Sequence, residues 1–311
     1  MISPSIFIIQ GPTASGKSAL SIDLAQAFQG CIINADSMQL YRGLPILSAQ
    51  PSDEDKRKAP HKLYGILDPT EQCSASRWTA WVHEILEKEN FKTFILVGGT
   101  GFYIKSFLQG LSPIPDVPAT IRKSLQDLVD TQGKNALYAQ LQERDPVMAK
   151  KLIPQDTQRV MRALEIILFT KKSLAEWQKE KSDKALNIPS LMINLMPPRE
   201  LLYEKINQRV IHMLEQGALD EVRILWERGL SYPTCSKTLG YQELESHLEG
   251  KISLDQAVEK IQQKSRNYAK RQLTWLRHQT NPSLVWEQLY EPKDWKKLSL
   301  ILPERLQEQN I

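Results

Sequence analysis

The sequence predicts an α/β protein in which a parallel-sheet core is interrupted by a helical insertion. Three observations lead there. Ile6–Ile9 is a β-branched and aromatic run that leads directly into a glycine-rich turn and then a helix. Further short apolar runs alternate with helical stretches, the pattern of a parallel sheet with helices on its faces. From about Thr120 to Lys181 the alternation stops, and the chain becomes helical, charged and almost free of glycine.

The elements follow in order. After the strand Ile6–Ile9, a helix runs from Ser18 to about Phe28, and Cys31-Ile32-Ile33 makes a second strand ending at Asn34-Ala35-Asp36. Thr93–Val97 is another buried strand, running into Gly98-Gly99-Thr100-Gly101. Gly110, Pro113, Pro115 and Pro118 punctuate the exit from this part of the core. Pro189 and the Pro197-Pro198 pair frame a strand-like run, Leu191–Met196. Beyond Arg199 come long helices, one ending near Gly229 and another starting at Ser253, where Gln256 completes a capping-box pattern. The expected organisation is 1–115 as the first part of the core, 116–188 as the insertion and 189–311 as the continuation. A plain tandem of two domains fits the same punctuation. The tail after about residue 280, rich in Trp, Leu and charge, carries no readable motif.

Composition bounds the answer without naming it. A chain of 311 residues suits about two domains, and 41% apolar with 24% charged residues excludes disorder as its main state. No apolar run approaches the ~20 residues of a membrane-spanning helix. The start, Met-Ile-Ser-Pro-Ser, has no basic leader, so a cytoplasmic protein with no membrane partner is expected. Cys31, Cys73 and Cys235 are scattered and odd in number, which suits reduced thiols, and neither His61 nor His83 has a partner at metal-ligand spacing. A net charge of +4 permits a nucleic-acid partner without demanding one.

The first chemical signal is Gly11-Pro12-Thr13-Ala14-Ser15-Gly16-Lys17-Ser18, which matches G-x-x-x-x-G-K-[ST] between a strand and a helix. The core is therefore expected to resemble that of the P-loop NTPases. Gly11 and Gly16 let the backbone turn so that successive N–H groups face phosphate oxygens, and the helix adds its positive end. Lys17 supplies a full charge, and the Ser18 hydroxyl suits Mg²⁺. The loop recognises a diphosphate or triphosphate, which need not be ATP. Gly98-Gly99 stands at a strand end where many such NTPases carry a metal-binding aspartate.

Asp36 ends the second strand, where ligands of open α/β sheets bind. There a carboxylate can reach Mg²⁺ through water, take a proton from a nucleophile, or simply cap the next segment. Thr13 can donate its hydroxyl to a bridging or leaving oxygen, or pack the loop. From Lys260 to His278 there are six basic residues, Lys260, Lys264, Arg266, Lys270, Arg271 and Arg277, and no acid. Val258, Ile261, Ser265, Tyr268, Gln272 and Trp275 recur at three- and four-residue steps and predict the buried stripe of that helix. Its all-positive face suits a nucleic-acid backbone, with a solvated face as the alternative. Arg159 and Arg162 form a smaller patch, or are salt-bridge partners.

Together, G-P-T-A-S-G-K-S at Gly11–Ser18, N-A-D-S-M-Q at Asn34–Gln39, L-V-G-G-T-G at Leu96–Gly101 and K-R-Q-L-T-W-L-R at Lys270–Arg277 resemble the bacterial tRNA dimethylallyltransferases. Ala59–Leu63, Asp156–Arg159 and Leu239-Gly240-Tyr241 add to a likeness spanning about Ile6 to Arg277. The resemblance implies transfer of a dimethylallyl group from dimethylallyl diphosphate to N6 of the adenine 3′ of the anticodon, with Mg²⁺ and loss of diphosphate. It implies a P-loop core with an inserted helical domain gripping the tRNA anticodon stem-loop, in a monomer.

It also assigns residues. Asp36 is the general base, with Thr13 and Lys17 at the leaving diphosphate. Gly11, Pro12, Thr13, Ala14, Ser15, Gly16, Lys17 and Ser18 hold that diphosphate, with Ser18 on the metal. Lys237 stands where some members carry a diphosphate-binding arginine, and it lacks the arginine fork. The tRNA contacts implied are Asp36, Ser37, Met38, Gln39, Thr100, Arg122, Gln158, Arg159, Val160, Met161, Arg162, Lys270, Arg271, Gln272 and Arg277. Two other readings compete: a P-loop kinase of a small metabolite using ATP, and an RNA-binding module whose P-loop is only regulatory.

Overall fold

The computed structural model describes residues 5–180, 189–229 and 234–308. Its strands are β1 (Ser5–Gln10), β2 (Cys31–Asn34), β3 (His61–Lys62), β4 (Thr93–Gly98), β5 (Ser190–Leu195) and β6 (Leu284–Trp286). All pair in parallel in one six-stranded sheet of order β3-β2-β4-β1-β5-β6. Ile8 of β1 sits level with Leu96 of β4 on one side and Met192 of β5 on the other. The central strands are buried on both faces, which is why they read as continuous β-branched runs and not as alternation.

Two compact units divide the chain, Met1–Ser106 with Asn187–Ile311, and Phe107–Leu186. The first carries the sheet with α1 (Lys17–Phe28), α2 (Asp53–Lys58), α3 (Ala75–Lys88) and most of α4 (Gly101–Gln109). The boundary expected at 188 lies outside the described residues, and so does Lys181. The second unit holds α5 (Ala119–Gln132), α6 (Lys134–Arg144), α7 (Pro146–Ala149), α8 (Thr157–Thr170) and α9 (Leu174–Trp177). Its core is built on Leu125, Leu137, Leu141, Met148, Val160 and Leu164.

The chain then adds α10 (Arg199–Glu215), α11 (Ala218–Glu227), α12 (Tyr241–Leu248), α13 (Leu254–Gln279) and α14 (Trp295–Glu308) to the first unit. Ser253 caps α13 with the anticipated box: its hydroxyl accepts the Gln256 N–H, and Gln256 Oε1 accepts the Ser253 N–H at 3.0 Å. The buried stripe of α13 differs from expectation. It runs Ala257, Ile261, Ser265, Ala269, Gln272, Leu273 and Leu276, leaving Val258, Tyr268 and Trp275 half-buried. Small alanines let the helix approach its neighbours closely, so the packed seam lies one position beside the bulkier side chains.

The unreadable tail proves structural. β6 extends the sheet beyond β5, while Trp286, Tyr290, Leu298 and Leu302 join the core that contains Phe7, Leu24 and Ile193. Among the described residues no helix is long and apolar enough to cross a membrane.

Candidate active site

The loop Gly11–Ser18 joins β1 to α1, and its backbone takes left-handed turns at Ala14 (φ 62°) and Gly16 (φ 96°). Gly16 has a second constraint. A Cβ there would stand 2.2 Å from the Tyr290 carbonyl oxygen. Tyr290 braces the loop from the C-terminal segment: its N–H donates to Ser15 O at 3.0 Å, and its hydroxyl donates to Asp23 of α1 at 2.7 Å. No side chain caps the start of α1, which leaves its first N–H groups available to an anion.

Beside the loop lies a cavity of about 350 Å³ at the carboxyl ends of β1, β2 and β4. Thr13, Lys17, Asp36 and Gln272 line it, with Arg209 from α10 and Lys237 from the turn before α12. Leu47, Ile206, Val210, Met213, Leu244 and Ile261 make its apolar wall. Lys17, Ser18 and Arg209 also face a second crevice, of about 460 Å³, on the outer side of the loop.

The charged groups constrain one another. Burial pushes the Lys17 ammonium down to about 8, opposed by the nearby Asp36 carboxylate and helped by Arg209. Burial also raises the Asp36 carboxyl above its ordinary range. The Met38 N–H, Lys17, Arg209 and the Gly99 N–H pull it back. Met38 donates to Asp36 Oδ1 at 3.0 Å, so the carboxylate both closes the turn after β2 and faces the cavity. Asn34 holds that turn, taking the Asp36 N–H at 2.7 Å and donating to Leu63 O at 2.9 Å. Lys17 Nζ donates to Pro12 O at 2.7 Å.

The missing acid at the end of β4 has a steric cause. A Cβ on Gly98 would lie 2.1 Å from the Ala35 carbonyl carbon, so no side chain fits there. Among the described residues no cluster of three or more His, Cys, Asp or Glu side chains could hold a metal.

Other anticipated residues divide into facing and occupied groups. Met38, Lys237 and Arg271 line the cavity, as does Ser37, whose N–H donates to Thr100 Oγ1 at 3.0 Å. Gln39 spends its amide on Ser48 O and Ala49 O, at 3.0 and 2.7 Å. Thr13 does not offer its N–H to the cavity, because Gln272 Oε1 accepts it at 2.9 Å. Along α13, Lys270, Arg271 and Arg277 are exposed. Lys264, however, pairs with buried Glu243 of α12, and Arg266 donates to Asn207 of α10 at 2.6 Å.

In the second unit, Arg122 and Arg162 both bond the buried Glu165, at 2.6 and 3.1 Å. Gln158 and Arg159 are exposed, while Met161 packs partly into the core. Val160, expected on the tRNA face, is 1% exposed and belongs to the core, because it falls on the apolar stripe of α8 with Ala163 and Leu164.

Sequence reasoning missed Arg209. It lies in no motif, and its signal is positional: it follows Ile206 by three residues and adjoins Val210 on the buried face of α10. A cation on an apolar stripe needs a partner, and the cavity supplies Asp36.

The family model for IPP transferase matches residues 39–279. The chain is 43% identical over 278 residues to a tRNA dimethylallyltransferase of Bartonella henselae, covering 88% of this chain and 96% of that one. It is 43% identical over 297 residues to one from Paramagnetospirillum magneticum, covering 91% of each. Among solved structures, a full-length tRNA isopentenylpyrophosphate transferase from Bacillus halodurans superposes with a TM-score of 0.70 at 32% identity, covering 99% of this chain and 98% of that one. A eukaryotic dimethylallyltransferase captured acting on tRNA gives 0.75 at 31% identity, over 88% of this chain and 70% of its own. No kinase stands among these relatives, and the small-metabolite kinase reading is set aside.

Proposed function

The chain belongs to the IPP transferase family, and on that premise we propose that it is a tRNA dimethylallyltransferase working in the cavity beside Gly11–Ser18. The reaction moves a dimethylallyl group from dimethylallyl diphosphate to N6 of the adenine 3′ of the anticodon. The observation that carries this reading is one cavity in which Lys17 and Arg209, Asp36 and an apolar wall face one another. A kinase needs the cations and the acid. A prenyl tail needs the apolar wall as well.

The residues divide the work. The exocyclic amine of adenine is a poor nucleophile because its lone pair is delocalised into the ring. As N6 bonds to the allylic carbon, Asp36 takes the proton that the amine must lose. The carbon–oxygen bond breaks at the same centre, and its electron pair leaves on the diphosphate. Lys17, Arg209 and the N–H groups at the start of α1 stabilise that charge. Thr13 lines the cavity beside Lys17, where its hydroxyl suits the bridging oxygen. Burial raises the proton affinity of the Asp36 carboxylate, while the Met38 N–H and Lys17 favour its charged form.

Magnesium fits this donor set. It commonly takes one or two protein oxygens together with substrate phosphates and water, and the exposed Ser18 hydroxyl beside Lys17 offers such an oxygen. When bound, it would neutralise diphosphate charge. The exposed Lys270, Arg271 and Arg277 on α13 and Arg159 on α8 suit an RNA backbone, which must release the target base from its stack at a cost of about a few kcal/mol.

The test is mass analysis of a tRNA transcript incubated with the protein, dimethylallyl diphosphate and Mg²⁺. The expected result is addition of one dimethylallyl group to the anticodon-loop fragment, with release of diphosphate. An unmodified transcript under conditions where tRNA binds would overturn the reading.

A further inference from the structure

Gln272 lies within the basic segment of α13, in the motif whose residues are expected to touch tRNA, yet its side chain points the other way. It is 7% exposed and makes two bonds to backbone atoms far away in sequence. Its carbonyl oxygen accepts the Thr13 N–H at 2.9 Å, and its amide nitrogen donates to the Gly99 carbonyl at 3.2 Å. Tyr268, one turn earlier in α13, lines the same cavity.

Gly99 completes the link. It lies against Asp36, whose Oδ2 is 3.4 Å from where a Cβ at position 99 would stand, so Gln272 is one residue removed from the base on one side and bonded to the phosphate loop on the other. The glycine is required for the contact, because a Cβ at position 99 would stand 2.2 Å from Gln272 Nε2. Gly98 leaves no room for an acid at this strand end, and Gly99 beside it makes room for the carboxamide.

We propose that Gln272 is a positioning residue: its carboxamide clamps the phosphate loop at Thr13 to the Gly98-Gly99 turn, and so sets the span between Asp36 and the leaving diphosphate. This rests on the function given above. The chemistry of the side chain suits the task. A primary amide presents an acceptor and a donor in one rigid plane, which a carboxylate or a thioether of equal length does not. Misplacing a reacting group by about 1 Å costs on the order of 10²-fold in rate, so a small slackening here is measurable.

Two variants separate positioning from tRNA contact and from packing. Gln272→Met keeps the volume and loses both bonds. Gln272→Glu keeps an acceptor for Thr13 and loses the donor to Gly99. We expect kcat to fall about 10–10²-fold in both, with the tRNA dissociation constant unchanged within about twofold and the circular dichroism spectrum of the folded chain preserved. Inorganic pyrophosphate, titrated by calorimetry, should bind Gln272→Met about tenfold more weakly, a readout that needs no prenyl transfer. Unchanged kcat with weakened tRNA binding would make Gln272 a tRNA contact and overturn the proposal, as would variants matching the parent in both kcat and pyrophosphate affinity. If the parent transfers no prenyl group but Gln272→Met still loses pyrophosphate, the enzymatic reading fails and the clamp stands.

Discussion

The phosphate-loop cavity and helix α8 of the second unit both concentrate cations, and they handle them in opposite ways. In the cavity, Lys17 and Arg209 are withdrawn from water and set against Asp36, which perturbs the proton affinity of both and is perturbed by them. On α8 and its neighbour α5, Arg122 and Arg162 share one buried carboxylate, Glu165, while their own side chains stay 58% and 44% exposed. Two guanidinium groups on one carboxylate leave a net positive surface. The first arrangement suits chemistry, where a charge must be fixed before the reaction. The second suits a long polyanion, whose phosphates need accessible cations more than preorganised ones.

Replacing Asp36 by Asn would break the comparison most sharply. The amide keeps the bond from the Met38 N–H and cannot accept a proton, so turnover should fall about 10²–10⁴-fold with tRNA affinity nearly kept. Single-turnover assays and a filter-binding titration report the two separately. Equal losses in both would place Asp36 on the tRNA side of the divide.

The buried cation also predicts a pH dependence that the exposed ones cannot produce. The Lys17 ammonium is pushed down to about 8, chiefly by burial. The free enzyme therefore loses the charge that receives diphosphate as pH rises through that value. Asp36 is raised by burial, so its basic form appears only at a higher pH than that of an ordinary carboxylate. Thus kcat/KM for the prenyl donor should climb from acid, then fall by up to tenfold per pH unit above about 8. A profile flat through pH 9 would return Lys17 to an ordinary lysine.

How much of this was legible beforehand follows from where each feature's partners lie. The phosphate loop and Asp36 are set by consecutive residues at strand ends, and pattern alone places them. β3 and β6 span too few residues to show a period. Arg209 belongs to no motif because its partners arrive from β2 and the loop, more than a hundred residues away. Lys264 and Lys270 look alike in a charge run. Only the fold reveals that Glu243 of α12 has claimed the first.

That distinction is testable along α13. Lys270→Ala with Arg277→Ala should weaken tRNA binding and reduce its salt slope by about 1 per lost phosphate contact, with stability unchanged. Lys264→Ala should do the reverse, lowering stability by about 1–3 kcal/mol by orphaning the buried Glu243 carboxylate while leaving the salt slope alone. Denaturant melts and salt-dependent binding isotherms separate the pair. Interchanged outcomes would show that exposure along this helix does not identify the RNA face.

The smallest expected effect is the cleanest reporter for the second unit. Arg159 is 73% exposed, and its ion pair with Asp156, three residues earlier, is a loose 3.4 Å contact. Surface pairs of this kind contribute about 0–1 kcal/mol, so Arg159→Ala should leave the denaturant midpoint almost unmoved. Asp156 loses nothing essential, because it still caps α8 by accepting the residue-159 N–H at 3.3 Å. Arg162→Ala cannot be read so simply, since it takes a bond from buried Glu165. Any loss of tRNA affinity in Arg159→Ala would therefore belong to a direct phosphate contact, and would shrink as salt is raised. Affinity equal to the parent at low salt would assign Arg159 to solvent.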